Sequence, residues 1–246
     1  MSYTKETIKF LKDLPGHTKD SPWPREYLNR YEDYLRDPTR EFAAELQDRF
    51  IRKLGRDVGY GICHPTNKGH GYKDHYVFAF FDPDAGKWYK SVQLYFYLDS
   101  GKESGNQTWR YGFSVWPDVS RHHLHKFNNA LDERPRIVAR YVQHVPLPSK
   151  TRVGIGSDDG GYKSFSPGGF ANRLARSDSA ASKSLGTSYG INVEREFPLN
   201  TLPHHADGLV EEVGRFFTWA WPLFDASRTG RRSVSPKLLG SPTRFQ

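Results

Sequence analysis

His75–Phe81 (HYVFAFF) and Lys87–Leu98 (KWYKSVQLYFYL), separated by Asp82-Pro83-Asp84-Ala85-Gly86, decide the fold. Along the second stretch Trp88, Val92, Leu94, Phe96 and Leu98 share one side, and Tyr89, Ser91, Gln93, Tyr95 and Tyr97 share the other. A period of two is that of a strand, whose successive side chains point to opposite faces. The intervening Pro-Asp-Gly cluster is turn chemistry, so the pair predicts an antiparallel hairpin. A third strand over Thr108–Trp116 continues the pattern, with Trp109, Tyr111, Phe113 and Val115 on one side and Arg110, Ser114 and Trp116 on the other. Ile191–Phe197 predicts one strand more.

Outward from this sheet the period changes to that of a helix. Ile8 and Leu11 predict a short amphipathic helix over residues 4–13, ended by Pro15-Gly16. Tyr27, Leu28, Tyr31, Tyr34 and Leu35 make a second apolar stripe. Asp37-Pro38 reads as an N-cap followed by proline at the first helical position, and Phe42, Leu46, Phe50 and Leu54 then line one face as far as Gly55. Two further helices are predicted, from about Val119 to Leu131 and from Pro135 to about Val142. A closing helix over Ala206–Phe224 carries Leu209, Val213, Phe216, Phe217, Ala220 and Phe224 as its core stripe.

The predicted fold class is α+β, with N-terminal helices packed on a mainly antiparallel sheet and a C-terminal helix docked on the core. Residues 1–226 form a single domain in this reading, and the Gly-, Ser- and Pro-rich stretch 146–190 is a flexible insertion in which only Phe170–Arg176 is helical. Residues 227–246 read as a basic disordered tail or linker.

Composition narrows the function. The 246 residues carry 36 Lys and Arg against 28 Asp and Glu, a net charge of +8 that suggests an anionic partner. The distribution matters more than the sum: Arg228, Arg231, Arg232, Lys237 and Arg244 face no acid in the tail and supply five of those eight charges. A second acid-free run lies between Glu133 and Asp158, with Arg134, Arg136, Arg140, Lys150 and Arg152, and is the better candidate for a phosphate-facing surface. Cys63 is the one cysteine, so neither an intrachain disulfide nor a multi-thiolate metal site can form, and a reducing cytoplasm is the expected location. No apolar stretch approaches the roughly 20 residues of a bilayer span, so no membrane role is expected.

Catalytic and cofactor motifs fail one by one, and no cofactor is expected. Gly154-Ile155-Gly156-Ser157-Asp158-Asp159-Gly160 resembles a phosphate-cradling loop, but its sixth position is Asp and no helix pattern follows directly. No P-loop sequence occurs. His122, His123 and His125 leave at best one pair on a helix face, and adjacent Cys63 and His64 point to opposite sides of an extended segment. Glu194 and Glu196 share a strand face, which a cross-strand charge pair explains without catalysis.

The pattern with most chemical content is the polar aromatic face. Tyr89, Tyr95, Tyr97 and Trp116 are candidates to stack exposed bases, Gln93 and Arg110 to select them, and Lys68, Lys73, Arg134, Arg136 and Arg140 to take phosphates. The expected function is therefore non-enzymatic recognition of nucleic acid, DNA in preference to RNA. Two rival readings are kept: a metal-assisted hydrolase or transferase using Asp158, Asp159, Glu194 and Glu196, and a protein-interaction adaptor whose aromatic face docks a partner.

Phe10-Leu11-Lys12-Asp13-Leu14, Trp23, Tyr31-Glu32 with Pro38, and Asn67-Lys68-Gly69-His70-Gly71-Tyr72-Lys73-Asp74-His75 follow one another in an order that resembles a bacterial family of unknown function. That family begins with F-L-x-x-L, continues through a Trp and a Y-E-x-x-x-x-x-P helix, and carries D-K-x-P-Y-K-T-H entering a strand. Here GHTKDSP stands at 16–22 in place of the family's Asn-rich turn, and its R-D-x-R-F block is missing. The helix-then-hairpin order also resembles the N-terminal specificity modules of McrB-like restriction ATPases. These resemblances imply a DNA-sensing or bacterial defence role, with an ATPase or nuclease subunit as a possible partner.

Overall fold

The computed structural model describes residues 3–14, 25–54, 58–63, 66–67, 71–72, 75–85, 91–101, 105–115, 141, 150–156, 162–176 and 190–229. Helices α1 (Lys5–Asp13), α2 (Arg25–Tyr31) and α3 (Asp37–Arg49) come first. The strands are β1 (Gly59–Ile62), β2 (Thr66–Asn67), β3 (Gly71–Tyr72), β4 (His75–Phe81), β5 (Gln93–Asp99), β6 (Thr108–Val115), β7 (Thr151–Gly156), β8 (Tyr162–Phe165) and β9 (Gly190–Pro198). Helix α4 (Pro167–Arg176) lies between β8 and β9, and α5 (Leu202–His205) and α6 (Leu209–Thr229) close the described chain. Seven strands form one sheet in the order β1-β4-β5-β6-β9-β7-β8, while β2 and β3 pair separately. Every described pairing is antiparallel, so the fold is α+β as the alternation predicts.

One face of the sheet is an aromatic core. Phe78 and Phe80 of β4, Leu94, Phe96 and Leu98 of β5, and Trp109, Tyr111 and Phe113 of β6 are all buried. The N-terminal helices reach this layer through Phe42, which meets Phe78 at 5.5 Å and Phe96 at 5.0 Å edge-on, and Tyr3 stacks on Phe96 at 5.6 Å. Burial pushes the Tyr3 hydroxyl well above the usual phenol range, and it hydrogen-bonds with Thr39 Oγ1 at 3.0 Å. From the other end of the chain, α6 sets Phe217 against Phe80 and Phe216 against Tyr111. Inside α6, Pro222 has no N–H to offer the preceding turn. Near it, the Trp219 carbonyl accepts from the Tyr141 hydroxyl.

Two expectations are corrected. Within stretch 146–190, read as a flexible insertion with a helix over Phe170–Arg176, the described residues hold that helix as part of α4 and also two strands that were not expected, β7 and β8; β7 pairs with β9 and extends the main sheet, and Phe170 of α4 packs on Phe165 of β8. Asp37 is not an N-cap: α3 starts at Asp37 itself with Pro38 in its first turn, and the residue before it is already helical. A π-helical turn over Glu32–Arg36 joins α2 to α3, and the Asp37 N–H reaches back to the Glu32 carbonyl. The wider turn carries the chain through a residue that has no N–H of its own. The helices expected over 119–131 and 135–142 fall outside the described residues, Tyr141 excepted, and of the tail expected over 227–246 residues 227–229 belong to the end of α6 while the rest lies outside them. No described helix is long and apolar enough to cross a membrane.

Helix α6 and the end of α3 meet at a glycine. A methyl group on Gly214 would lie 2.3 Å from two ring carbons of Phe50. Alanine is the better helix former by about 1 kcal/mol, yet forcing the ring aside costs about 1–3 kcal/mol. Gly214→Ala is expected to lower the urea midpoint in the native background and to raise it in a Phe50→Ala background. A stabilising effect in both backgrounds contradicts this packing.

Candidate functional site

The register of the sheet sets its second face in rows across the strands. One row runs Ala79, Tyr95, Gly112, Glu194, Arg152; the next runs Val77, Tyr97, Arg110, Glu196; a third runs Phe81, Gln93, Ser114, Asn192, Gly154, Ser164. Alternation alone places Gln93, Tyr95, Tyr97, Arg110 and Ser114 together, away from the aromatic core.

Gly112 determines how the first row closes. A methyl there would stand 2.5 Å from the Val193 carbonyl oxygen and 2.9 Å from Glu194 Cβ, so only glycine lets β6 and β9 approach this closely. With no side chain at 112, the Tyr95 hydroxyl passes over β6 and donates to Glu194 Oε2. Glu194 is 4% exposed and Tyr95 6% exposed. A carboxylate this far from water needs a donor, and the tyrosine supplies one.

In the second row the Arg110 guanidinium carbon lies 4.3 Å from the Tyr97 ring centroid, while His75, from the strand on the other side of β5, stacks on that ring at 5.2 Å. Arg110 Nη1 also stands 3.7 Å from Glu196 Oε2. Burial works against the Arg110 charge, but Tyr95, Glu194, Tyr97 and Glu196 around it outweigh that and hold it firmly protonated. Glu196 is pushed the other way: burial raises it above the ordinary carboxylate range and Glu194 adds to the rise, while Arg110 opposes both. At the rim, Arg152 is exposed and donates from Nε to Ser164 Oγ at 2.6 Å.

Two polar atoms on this face are buried without a hydrogen-bond partner among the described residues: Asn192 Oδ1, on a side chain 6% exposed, and Arg110 Nε. The first is an acceptor and the second a donor.

Of the residues singled out by sequence, Gln93, Tyr95, Tyr97 and Arg110 are brought together here. Tyr95 braces Glu194 and is not an open stacking surface, and Tyr97 is flanked by His75 and Arg110. Lys68, Lys73, Tyr89, Trp116, Arg134, Arg136 and Arg140 lie outside the described residues, as do Asp158 and Asp159. Asn192, Glu194, Arg152 and Gly112 complete the face. The alternation of Ile191–Phe197 carried the signal for the first two, but nothing local in the sequence said that Gly112 would sit between Tyr95 and Glu194.

The residue between the two acids faces the helices. Arg195 Nη1 donates to Tyr111 Oη and to Glu212 Oε1, both at 2.7 Å, Tyr111 donates to the same carboxylate oxygen, and His205 Nδ1 lies 3.1 Å from Glu212 Oε2. This network ties α5 and the start of α6 to the sheet. Cys63 is buried, and its Sγ accepts from the Val77 N–H at 3.0 Å. Among the described residues no three His, Cys, Asp or Glu side chains group as metal ligands. No family model, curated protein or solved structure matches the chain.

The direction of the Glu196 shift sets a pH dependence. A carboxyl group raised in the folded state contributes stability that is present below its unfolded pKa and is lost as pH rises through the folded value. Glu196→Gln is therefore expected to gain urea stability relative to the native protein as pH is raised from about 4 to about 7. A relative gain by the native protein over that window would mean that the Arg110 attraction outweighs burial.

Proposed function

We propose that the chain recognises nucleic acid, drawing a base against the polar face of the sheet while arginines take the neighbouring phosphates. The observation that carries this reading is the pair of unmatched buried atoms, Asn192 Oδ1 and Arg110 Nε, on a face that also holds the Arg110–Tyr97–His75 stack. One is an acceptor and the other a donor, the two kinds of group that a polar heterocycle and its phosphate would answer. The exposed Arg152 at the rim and the net charge of +8 favour a polyanion over a neutral ligand. The acid-free run holding Arg134, Arg136 and Arg140 supplies the phosphate contacts in this reading.

DNA is the favoured polymer, on the strength of the resemblance to restriction specificity modules. The same resemblance suggests a defence role beside an ATPase or nuclease subunit. A second reading has one observation in its favour: Glu194 and Glu196 lie in adjacent rows of the same face, as a carboxylate-based hydrolase or transferase would need. Heat of binding with magnesium, manganese or zinc in calorimetry would favour that alternative.

Fluorescence anisotropy with labelled single-stranded and duplex DNA and RNA tests the proposal. Binding should weaken steeply with salt. Arg136→Ala and Arg140→Ala should each lower the logarithmic salt slope by about 1, whereas Tyr97→Ala should weaken binding at every salt concentration. No binding to any of these polymers at low salt overturns the reading.

A further inference from the structure

Strands β1 and β8 are the two ends of the seven-stranded sheet, and they are unlike. The β8 sequence YKSF carries Lys163, and Pro167 follows two residues after it. Lysine and proline are what natural sheets use to keep an edge from pairing further. The β1 sequence GYGI has neither. Its Tyr60 is 48% exposed, one of two large apolar side chains so open among the described residues.

The phase of the ladder identifies the backbone groups that β1 leaves free. The Cys63 N–H donates to the Val77 carbonyl at 2.8 Å, so these two residues are a hydrogen-bonded pair. Pair types alternate along an antiparallel ladder, which makes Gly61–Ala79 and Gly59–Phe81 hydrogen-bonded pairs as well. The N–H and C=O of Tyr60 and Ile62 therefore point away from β4, over an edge where no further described strand lies. Tyr60 stands opposite Phe80 and Ile62 opposite Phe78, which puts both side chains on the aromatic side of the sheet. On the other side Gly59 and Gly61 keep the strand flat, and a methyl group on Gly59 would come within 2.7 Å of the Phe81 ring.

This pattern is complementary to itself. When a second β1 runs antiparallel about a two-fold axis at Gly61, Tyr60 of each copy meets Ile62 of the other and exchanges both backbone hydrogen bonds with it. Each such pair also sets an aromatic ring against a β-branched side chain, a favourable cross-strand contact. Gly61 faces Gly61 of the other copy as a non-hydrogen-bonded pair, where Cα atoms approach to about 4.5 Å. Charge favours the same occupant. Two chains of net charge +8 repel each other, and along the uncharged β1 they can meet with no like charges opposed. The area sets the strength: four residues a side fall well short of the roughly 1,600 Å² of a stable interface, so the pair forms at high concentration and separates on dilution.

We infer that β1 is an interaction surface for a second copy of this chain, which continues the sheet edge to edge about an axis at Gly61. The inference is independent of the nucleic-acid reading above.

Sedimentation equilibrium of the nuclease-treated full chain, from about 1 µM to about 1 mM, tests it. The average mass should rise from one chain toward two as concentration increases. Tyr60→Lys changes an exposed side chain, removes both Tyr–Ile contacts at once and should weaken association by about tenfold. Amide exchange followed by NMR gives a readout tied to the register. The Tyr60 and Ile62 N–H groups should exchange more slowly at the dimeric concentration than at the monomeric one, while the Gly61 N–H, already bonded to β4, should change little. A chain that stays monomeric throughout leaves the edge to a different partner or to none, and overturns the inference. So does a dimer in which the Tyr60 and Ile62 amides gain no protection, because it uses another surface.

Discussion

The hydrogen bond from Tyr95 to Glu194, passing over Gly112, is the constraint on which the polar side of the sheet depends. A carboxylate with 4% exposure has given up hydration worth several kcal/mol and must recover it from a fixed donor. The donor comes from two strands away, which is possible only because the strand between carries no side chain at that point. Three consecutive strands are thereby tied at one register. A slip of one residue along any of them would move the glycine out of the row and bring a side chain of the opposite face into it.

The same strands serve two unlike environments. On one side aromatic rings from β4, β5 and β6 meet Phe42 and Tyr3 of the N-terminal segment and Phe216 and Phe217 of α6, which closes the core from both ends of the chain. On the other side polar groups are arranged in rows. Strand β9 shows the division most plainly: Glu194 faces Tyr95, while its neighbour Arg195 faces Tyr111 and Glu212 and helps dock α6. Acid and base alternate along β9 because each is answered on a different face. The polar face is thereby held in register by the core packed on its other side.

The strand pattern from His75 to Val115 was legible in the sequence because burial on one side enforces a strict period of two, and the core stripe of α6 was legible through its 3.6-residue period. The strands β7 and β8 were not: TRVGIG and YKSF are short, β8 pairs only with β7, and β7 joins the sheet through β9, some 35 residues further along the chain. Asp37-Pro38 marked where α3 starts, but read as a cap it concealed the π turn that carries α2 into that helix without a break. Of the site, Gln93, Tyr95, Tyr97 and Arg110 could be read together from alternation. The sealing of Tyr95 and the unmatched Asn192 could not, because both depend on which residues face them across β6 and β9.

The most direct test of the account is a double-mutant cycle of Tyr95→Phe and Glu194→Gln in urea unfolding, measured in the native background and again with Gly112→Ala. The account predicts a favourable coupling of about 1–3 kcal/mol between the two side chains, largely lost once a methyl group stands at position 112. Additive effects of the two substitutions in the native background would contradict it.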